Sequence, residues 1–200
     1  MITSIITGDI MNSRKIPDSR WLKTLKSALN RYGQEPLSWE IYRGDSFQLE
    51  VKPPEALQAA LFIKASIKHY KQLDARMAIG IGEKNFEASK ITESNGSAFI
   101  HSGECFENLK KQTLAIQSPW LEVDQEINLY LDLALLTIDN WTSNISFIIK
   151  TAIEYPELTQ GELAKRLNRT QSTISESLNR AGFEEIMRME KRYRELIENK

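Results

Sequence analysis

In the first 117 residues, stretches with an apolar side chain at every second position alternate with stretches in which apolar side chains recur every three or four positions. The first pattern predicts strands and the second predicts helices. Strands are expected at Ser4–Gly8, in the two arms of residues 39–51, at Ala75–Gly82 and at Thr113–Gln117. Helices are expected from a cap at Asp18 or Ser19 to a stop at Gly33, from Pro53-Pro54 onward, and over Gly96–Lys111. The resulting order, β, α, β, β, α, β with an added helix and strand, is that of the ferredoxin-like split βαβ arrangement.

The remainder of the chain has only helical patterns. Pro119 ends the mixed region, a long helix is expected over Glu122–Asn140, and no strand pattern follows Trp141. The predicted fold class is therefore α+β, with a ferredoxin-like, cyclase-like domain over 1–118, a connecting helix over 119–140 and an all-α helix-turn-helix domain over 141–200.

Composition narrows the class of protein without naming a partner. The 200 residues are 41% hydrophobic and 26% charged with a net charge of −1, as in ordinary globular proteins, so a nucleic-acid or membrane partner must be sought in local patches. One cysteine, Cys105, and two histidines exclude an internal disulfide and a Cys/His zinc site. The N-terminus lacks a basic leader, and the apolar stretch 127–141 is short and interrupted by aspartates. We therefore expect a cytoplasmic protein that does not enter the membrane.

The tip of the predicted hairpin carries both an arginine and a carboxylate, in Arg43-Gly44-Asp45-Ser46. In the ferredoxin-like order the first strand is antiparallel to the third, so Asp9 is expected beside Asp45. Two carboxylates held close together repel unless a cation lies between them, as where Mg²⁺ bridges acids and a triphosphate. The carbonyl of Ile10 could complete the coordination, and Gly44 would let the backbone approach phosphates. The alternative is that both acids are ordinary turn residues.

Three short motifs carry a family resemblance: TGDI at 7–10, RGDSF at 43–47 and ARMAIGIG at 75–82. They resemble the metal-binding first strand, the Gly-Asp hairpin and the Arg-x-x-x-Gly-Ile strand of class III nucleotide cyclases, whose fold is shared with diguanylate cyclases and polymerase palm domains. The chain as a whole resembles the bacterial SatD-like family. The cyclase resemblance implies Asp9 and Asp45 as Mg²⁺ ligands and Ile10 as the backbone ligand. The residues expected to bind the nucleotide are Asn12, Ser13, Arg14, Arg43, Gly44 and Ser46.

One departure from the cyclase pattern favours binding over turnover. Class III cyclases carry an asparagine and a charge-stabilising arginine on the helix after the Gly-Ile strand, whereas this region has Glu104 and no arginine. A carboxylate has the wrong sign for developing phosphoryl charge. His101 is expected to be a polar helix residue and Cys105 a core residue. A nucleotidyl cyclase or nucleotide-polymerising enzyme remains the alternative.

Residues 158–181 predict a helix-turn-helix. Thr159 and Glu162 have the spacing of a capping box, and Leu163, Ala164 and Leu167 follow on one face. Asn168 suits the left-handed conformation of a tight turn, and Thr170 is placed to cap a second helix with Ile174 and Leu178 inside.

This segment also resembles the DNA-binding helix-turn-helix of many bacterial regulators, with QSTIS opening the second helix. The resemblance implies a set of DNA contacts, namely Arg169, Thr170, Gln171, Ser172, Thr173, Ser175, Asn179 and Arg180. From Trp141 onward, however, ten basic and nine acidic residues leave a net charge of only +1, so binding should be weak or dimeric. The apolar stripe of the last helix, from Phe183 to Ile197, is either packed on its own domain or a homodimer seam.

The combined hypothesis is a bacterial transcriptional regulator whose cyclase-like domain binds a nucleotide with Mg²⁺ and whose tail binds DNA. A third hypothesis keeps the fold but makes the helix-turn-helix a protein-interaction module.

Overall fold

The structure, a computed structural model, describes residues 1–15 and 20–200. Within these residues five strands form one sheet, and their bounds are β1 Ile2–Met11, β2 Trp39–Tyr42, β3 Ser46–Val51, β4 Asp74–Glu83 and β5 Leu114–Gln117. The helices are α1 Arg20–Asn30, α2 Ala56–Lys68, α3 Ser97–Asn108, α4 Leu121–Ile138, α5 Ser143–Glu154, α6 Gln160–Arg166, α7 Gln171–Arg180 and α8 Phe183–Glu198. The chain is thus a mixed α+β protein with a wholly helical second part. The predicted cap at Asp18 or Ser19 lies outside the described residues.

The sheet order is β2-β3-β1-β4-β5, with β1 in the middle. β1 pairs antiparallel with both β3 and β4, and β5 runs parallel to β4. The predicted antiparallel pairing of the first strand with the third is confirmed. β1 is ten residues long rather than the predicted Ser4–Gly8, because ladders on both of its sides satisfy backbone groups well beyond the apolar run.

Two helices end before their predicted stops. α1 ends at Asn30 rather than at Gly33, and α3 ends at Asn108 rather than at Lys111. The second helix begins with a 3₁₀ turn over Pro53–Glu55, after which α2 starts at Ala56. Proline has no amide hydrogen, so Pro53 and Pro54 fit the first turn, where that donor has no helical partner.

The two faces of the sheet pack against different helices. Ile6 and Ile10 of β1 and the inward residues of β4 lie in one large core with α1, α2 and the tail helices. α3 covers the opposite face, where Thr7 and Ser102 hydroxyls lie 3.0 Å apart. Gly80 permits this contact, since a Cβ there would lie 2.1 Å from the amide nitrogen of Ser102.

A buried polar cluster joins the sheet to the end of α4. The ammonium of Lys64 is completely buried and donates to Asp74 Oδ1 at 2.9 Å and to Thr113 Oγ1 at 2.8 Å, and it lies 3.0 Å from Asp139 Oδ1. Lys68 donates to the other oxygen of Asp74 and to the backbone carbonyl of Asp139. The cluster therefore fixes where the helical tail leaves the sheet domain.

The tail packs back onto the sheet domain. The apolar stripe of α8, including Ile186, Met189, Tyr193 and Ile197, is buried in the common core. The hydroxyl of Tyr193 donates to the carbonyl of Pro53 at 2.7 Å, and burial raises the pKa of this phenol. The α8 stripe is therefore used within the chain and does not form a dimer seam. All helices of the described ranges are too short or too polar to cross a lipid bilayer.

Candidate functional site

The predicted cleft forms where β1 ends beside the β2–β3 hairpin. Asp9 lies opposite Ser46 in the ladder, and the amide of Ile10 donates to the carbonyl of Asp45 at 3.0 Å. A cleft of about 480 Å³ opens here, lined by Asp9, Ile10, Met11, Asn12, Ser13, Arg14, Arg43, Asp45 and Ser46. The nearness of Asp9 to the hairpin is confirmed, and of the predicted site residues only Gly44 is not part of the lining.

The carboxylate of Asp9 is engaged by a cation from the protein itself. Arg76, its cross-strand neighbour on β4, donates from Nη2 to Asp9 Oδ2 at 2.9 Å, and its Nε lies 3.4 Å from Oδ1. The guanidinium also stacks over Phe106 of α3, 4.7 Å from the ring centroid. Both side chains of the ion pair are about a third exposed, at 32% and 28%. Any metal ion would have to compete with Arg76 for Asp9.

The carboxylate of Asp45 has a different partner. Its Oδ2 accepts a 2.6 Å hydrogen bond from the buried hydroxyl of Ser13. Within residues 1–15 and 20–200, no three carboxylate, histidine or cysteine side chains converge in a way that could hold a metal ion. The two acids therefore share a cleft, and each is engaged by a donor from the protein itself.

The hairpin tip has an unusual backbone. Arg43 and Gly44 both have positive φ, 54° and 88°, which glycine tolerates and arginine adopts rarely. Arg43 is exposed at the rim of the cleft. Half-burial raises the pKa of the neighbouring Tyr42 phenol, and the charge of Asp9 adds to this rise while Arg43 opposes it. The tip therefore presents a guanidinium beside the Asp9–Arg76 pair.

The sequence motifs did not identify Arg76 and Phe106 as the groups that engage Asp9 from beside the cleft. Arg76 was part of the quoted ARMAIGIG segment, where it alternates with the apolar Met77, Ile79 and Ile81 and so faces the other side of the sheet. A charged residue at that strand position, next to β1 in the predicted order, was the available signal for a partner of Asp9.

Three polar residues of α3 make contacts within the fold and do not line the cleft. Burial raises the pKa of Cys105 to about 12, with a contribution from the charge of Asp124. Nδ1 of His101 lies 2.6 Å from the carbonyl oxygen of Ile81 and therefore carries the proton. Glu104 is exposed and accepts a hydrogen bond from Gln117 at 2.9 Å. The predictions of a core cysteine and a polar helix histidine are confirmed.

The helix-turn-helix forms with the predicted caps. Thr159 and Glu162 make a complete capping box at α6, and the Thr170 hydroxyl accepts from the amide of Thr173 at α7. Asn168 has φ 51°, and the amide of Arg169 donates to the carbonyl of Ala164 at 2.9 Å, which closes the turn. The left-handed asparagine and both caps are therefore confirmed. Leu163, Ala164, Ile174 and Leu178 are buried and Leu167 is partly buried.

The outward face of α7 is polar. The side chains of Gln171, Ser175 and Asn179 make no hydrogen bond to another described residue, and Gln171 and Asn179 are exposed. Ser172 is also exposed, although its hydroxyl lies 3.0 Å from that of Thr170. These four residues lie within about one third of the helix circumference, since successive residues are about 100° apart. They form one continuous surface that we call the α7 face.

The other predicted DNA-contact residues have partners of their own. Thr170 and Thr173 are used in the cap, with their hydroxyls 2.8 Å apart. Arg180 forms an exposed ion pair with Glu176 at 2.7 Å. Arg169 donates to Asn144 of α5 at 3.3 Å and is exposed. The α7 face itself thus carries no charged side chain, and Arg169 lies two residues before its first member in the sequence.

Comparison with known proteins adds no family assignment. No family model matches the sequence, and no curated protein matches it significantly. The SatD-like and cyclase resemblances therefore stay predictions.

Proposed function

We propose that this chain is a sequence-specific DNA-binding protein that reads the major groove with the α7 face. The supporting observation is that Gln171 and Asn179 lie exposed on one side of a capped helix, without partners among the described residues. Glutamine and asparagine amides suit bidentate hydrogen bonds to adenine in that groove. Ser172 and Ser175 supply hydroxyls at the same surface. Regulation of transcription from a cytoplasmic location is part of the same proposal.

The electrostatics favour weak phosphate contact by a single chain. Lys165, Arg166 and Arg169 are exposed around the turn, whereas Arg180 is paired with Glu176. Three phosphate contacts give a salt slope of about −2.7, so affinity should fall about 40-fold between about 50 and about 200 mM salt. A helix-turn-helix that docks proteins instead would show no DNA affinity of this kind at either salt concentration.

The first test is a gel shift with DNA from upstream of the protein's own gene, in low and moderate salt. The proposal is supported if the protein retards this DNA and an equal mass of unrelated duplex does not abolish the shift. Absence of any shift in low salt contradicts it and favours the alternative of a protein-interaction module.

A second candidate function belongs to the cleft, which we propose as a nucleotide site on a ferredoxin-like, cyclase-like domain. It is favoured by the convergence of Asp9, Asp45, Arg14 and Arg43 on one open cavity. Guanidinium groups at its rim suit phosphate oxygens. Mg²⁺ could use Asp9 only after that carboxylate leaves Arg76, so the residues fit a phosphate better than a bare divalent cation. The enzymatic alternative, a nucleotidyl cyclase, needs the same residues, and pyrophosphate release from triphosphates is its test.

Titration of ATP and GTP by calorimetry, with and without Mg²⁺, separates the two binding modes. If Asp9 is a metal ligand, Arg76→Gln frees it and strengthens Mg²⁺-dependent binding, and Asp9→Asn abolishes that binding. If the rim arginines hold the phosphates, Arg43→Gln weakens binding equally with and without Mg²⁺. No heat from either nucleotide in the wild type removes the cleft proposal and leaves the α7 proposal intact.

A further inference from the structure

α4 is apolar on two opposite faces. Its inward stripe, buried in the core, consists of Val123, Ile127, Leu131, Leu135 and Ile138. On the opposite side Leu129, Leu133 and Leu136 are 57%, 61% and 72% exposed. Their spacing of four and then three residues places them in one row, as at the seam positions of paired helices. The inward stripe alone accounts for the packing of α4 in the core, so the outward row is left exposed.

A groove of about 650 Å³ runs beside this row, between α4 and α8. Its apolar lining includes Tyr130 and Ala134 of α4, and Leu133 lies at its edge. The α8 wall carries Glu185 and Arg188, which lie 3.6 Å apart and are 67% and 77% exposed. The row and the groove together form a surface with an apolar centre and charged rim, which we call the α4 face.

The size of the α4 face matches a modest protein interface. α4 has 18 residues; at about 1.5 Å per residue it is about 27 Å long, and two adjacent helices make the face about 20 Å wide. Each copy therefore offers about 500 Å² of plan area, so two copies bury about 1,000 Å², the threshold for a specific pair. An exposed apolar patch of this size is at the upper end of what monomers show.

We propose that the α4 face is covered by the α4 face of a second copy, with the two α4 helices antiparallel about a two-fold axis. A parallel pair would bring Glu122 of one copy to Glu122 of the other and align both helix dipoles, whereas an antiparallel pair separates the acids and opposes the dipoles. The antiparallel arrangement also sets Arg188 of each copy opposite Glu185 of the other. The rim of the face thus carries both signs of charge and can pair with the same rim of a second copy.

This dimer does not depend on DNA binding, although two-fold symmetry would place two α7 faces on one duplex. Sedimentation velocity of the full chain from about 1 to about 200 µM is expected to show a monomer–dimer equilibrium with a micromolar Kd, because interfaces near about 1,000 Å² are typical of weak association. The double variant Leu133→Asp/Leu136→Asp is expected to weaken the dimer at least about 100-fold, because it puts charges in the apolar centre.

The control is Leu37→Asp, which makes the same kind of substitution at one leucine that is 55% exposed outside the α4 face. It is expected to leave the dimer unchanged. Glu185→Arg and Arg188→Glu should each weaken the dimer while leaving far-UV circular dichroism unchanged, and their combination should restore it. A wild-type protein that is monomeric at about 200 µM overturns the proposal and assigns the face to a different partner. A dimer that the double leucine variant leaves intact overturns it equally.

Discussion

The ammonium of Lys64 has no exposure to solvent and lies between two carboxylates, of Asp74 on β4 and Asp139 just after α4. We expect Lys64→Met to destabilise the folded chain. Methionine fills similar space, but it leaves Asp139 without its closest cation and removes the hydrogen bonds to Thr113 and to the carbonyl of Ala75.

The magnitude follows from the burial of each partner. Removing one member of a buried ion pair costs about 3–5 kcal/mol, because the other charge is left uncompensated. Here Asp74 keeps Lys68, and the side chain of Asp139 is 33% exposed and can be hydrated. The lower end, about 3 kcal/mol, is therefore expected, which corresponds to a fall in Tm of about 6–12 °C for a chain of this size.

Urea unfolding followed by far-UV circular dichroism measures this change, with Lys71→Met as the control. Lys71 is exposed just beyond α2, and its substitution should alter the free energy of unfolding by less than about 0.5 kcal/mol. If the free energies of unfolding of Lys64→Met and wild type differ by less than about 1 kcal/mol, the buried cluster does not tie the tail to the sheet.

Three further predictions test the fold locally. Gly80→Ala should cost about 3 kcal/mol, because its Cβ meets backbone of α3, whereas Gly103→Ala, whose Cβ meets nothing within 4 Å, should stabilise the helix by about 0.5–1 kcal/mol; thermal melts compare the two. Because the pKa of Cys105 is raised to about 12 from 9.0, its thiolate fraction at pH 8 should be about 1,000-fold lower than in the unfolded chain, and rapid labelling of the native protein by a thiol reagent would contradict this. Thr159→Ala should cost about 1 kcal/mol at neutral pH. Hydrogen bonds from Thr159 lower the pKa of Glu162. The contribution of the Glu162 carboxylate to the cap is therefore present above its unfolded pKa and is lost as the pH falls through its folded pKa. If Thr159→Ala costs as much stability at low pH as at neutral pH, this reasoning is refuted.

The sequence predicted best those features that are fixed by neighbouring residues. The capping box at Thr159, the cap at Thr170 and the left-handed Asn168 each depend on a few adjacent positions, and all three are present. The pairing of β1 with β3 followed from element order, because the order of elements leaves few topologies open.

Features that depend on distant pairs were not predicted. Arg76 lies 67 residues from Asp9, and only the strand register brings the two together. The same holds for Lys64, whose partners Asp74 and Asp139 come from different elements. A helical pattern also cannot show which of two apolar stripes is buried. Which residues of α4 remain exposed is therefore known only from how the tail packs.

Binding of DNA by the α7 face is tested most directly by fluorescence anisotropy with duplexes selected from a random library. The double variant Gln171→Ala/Asn179→Ala is compared with Asn108→Ala/Gln112→Ala, which removes the same two residue types at exposed positions far along the chain. Each bidentate contact contributes about 1–3 kcal/mol, so the first variant should bind the selected duplex about 30-fold or more weakly and the second should bind like wild type. Equal affinities for all three proteins, or failure of the wild type to select any sequence, would contradict the proposal that this helix reads DNA.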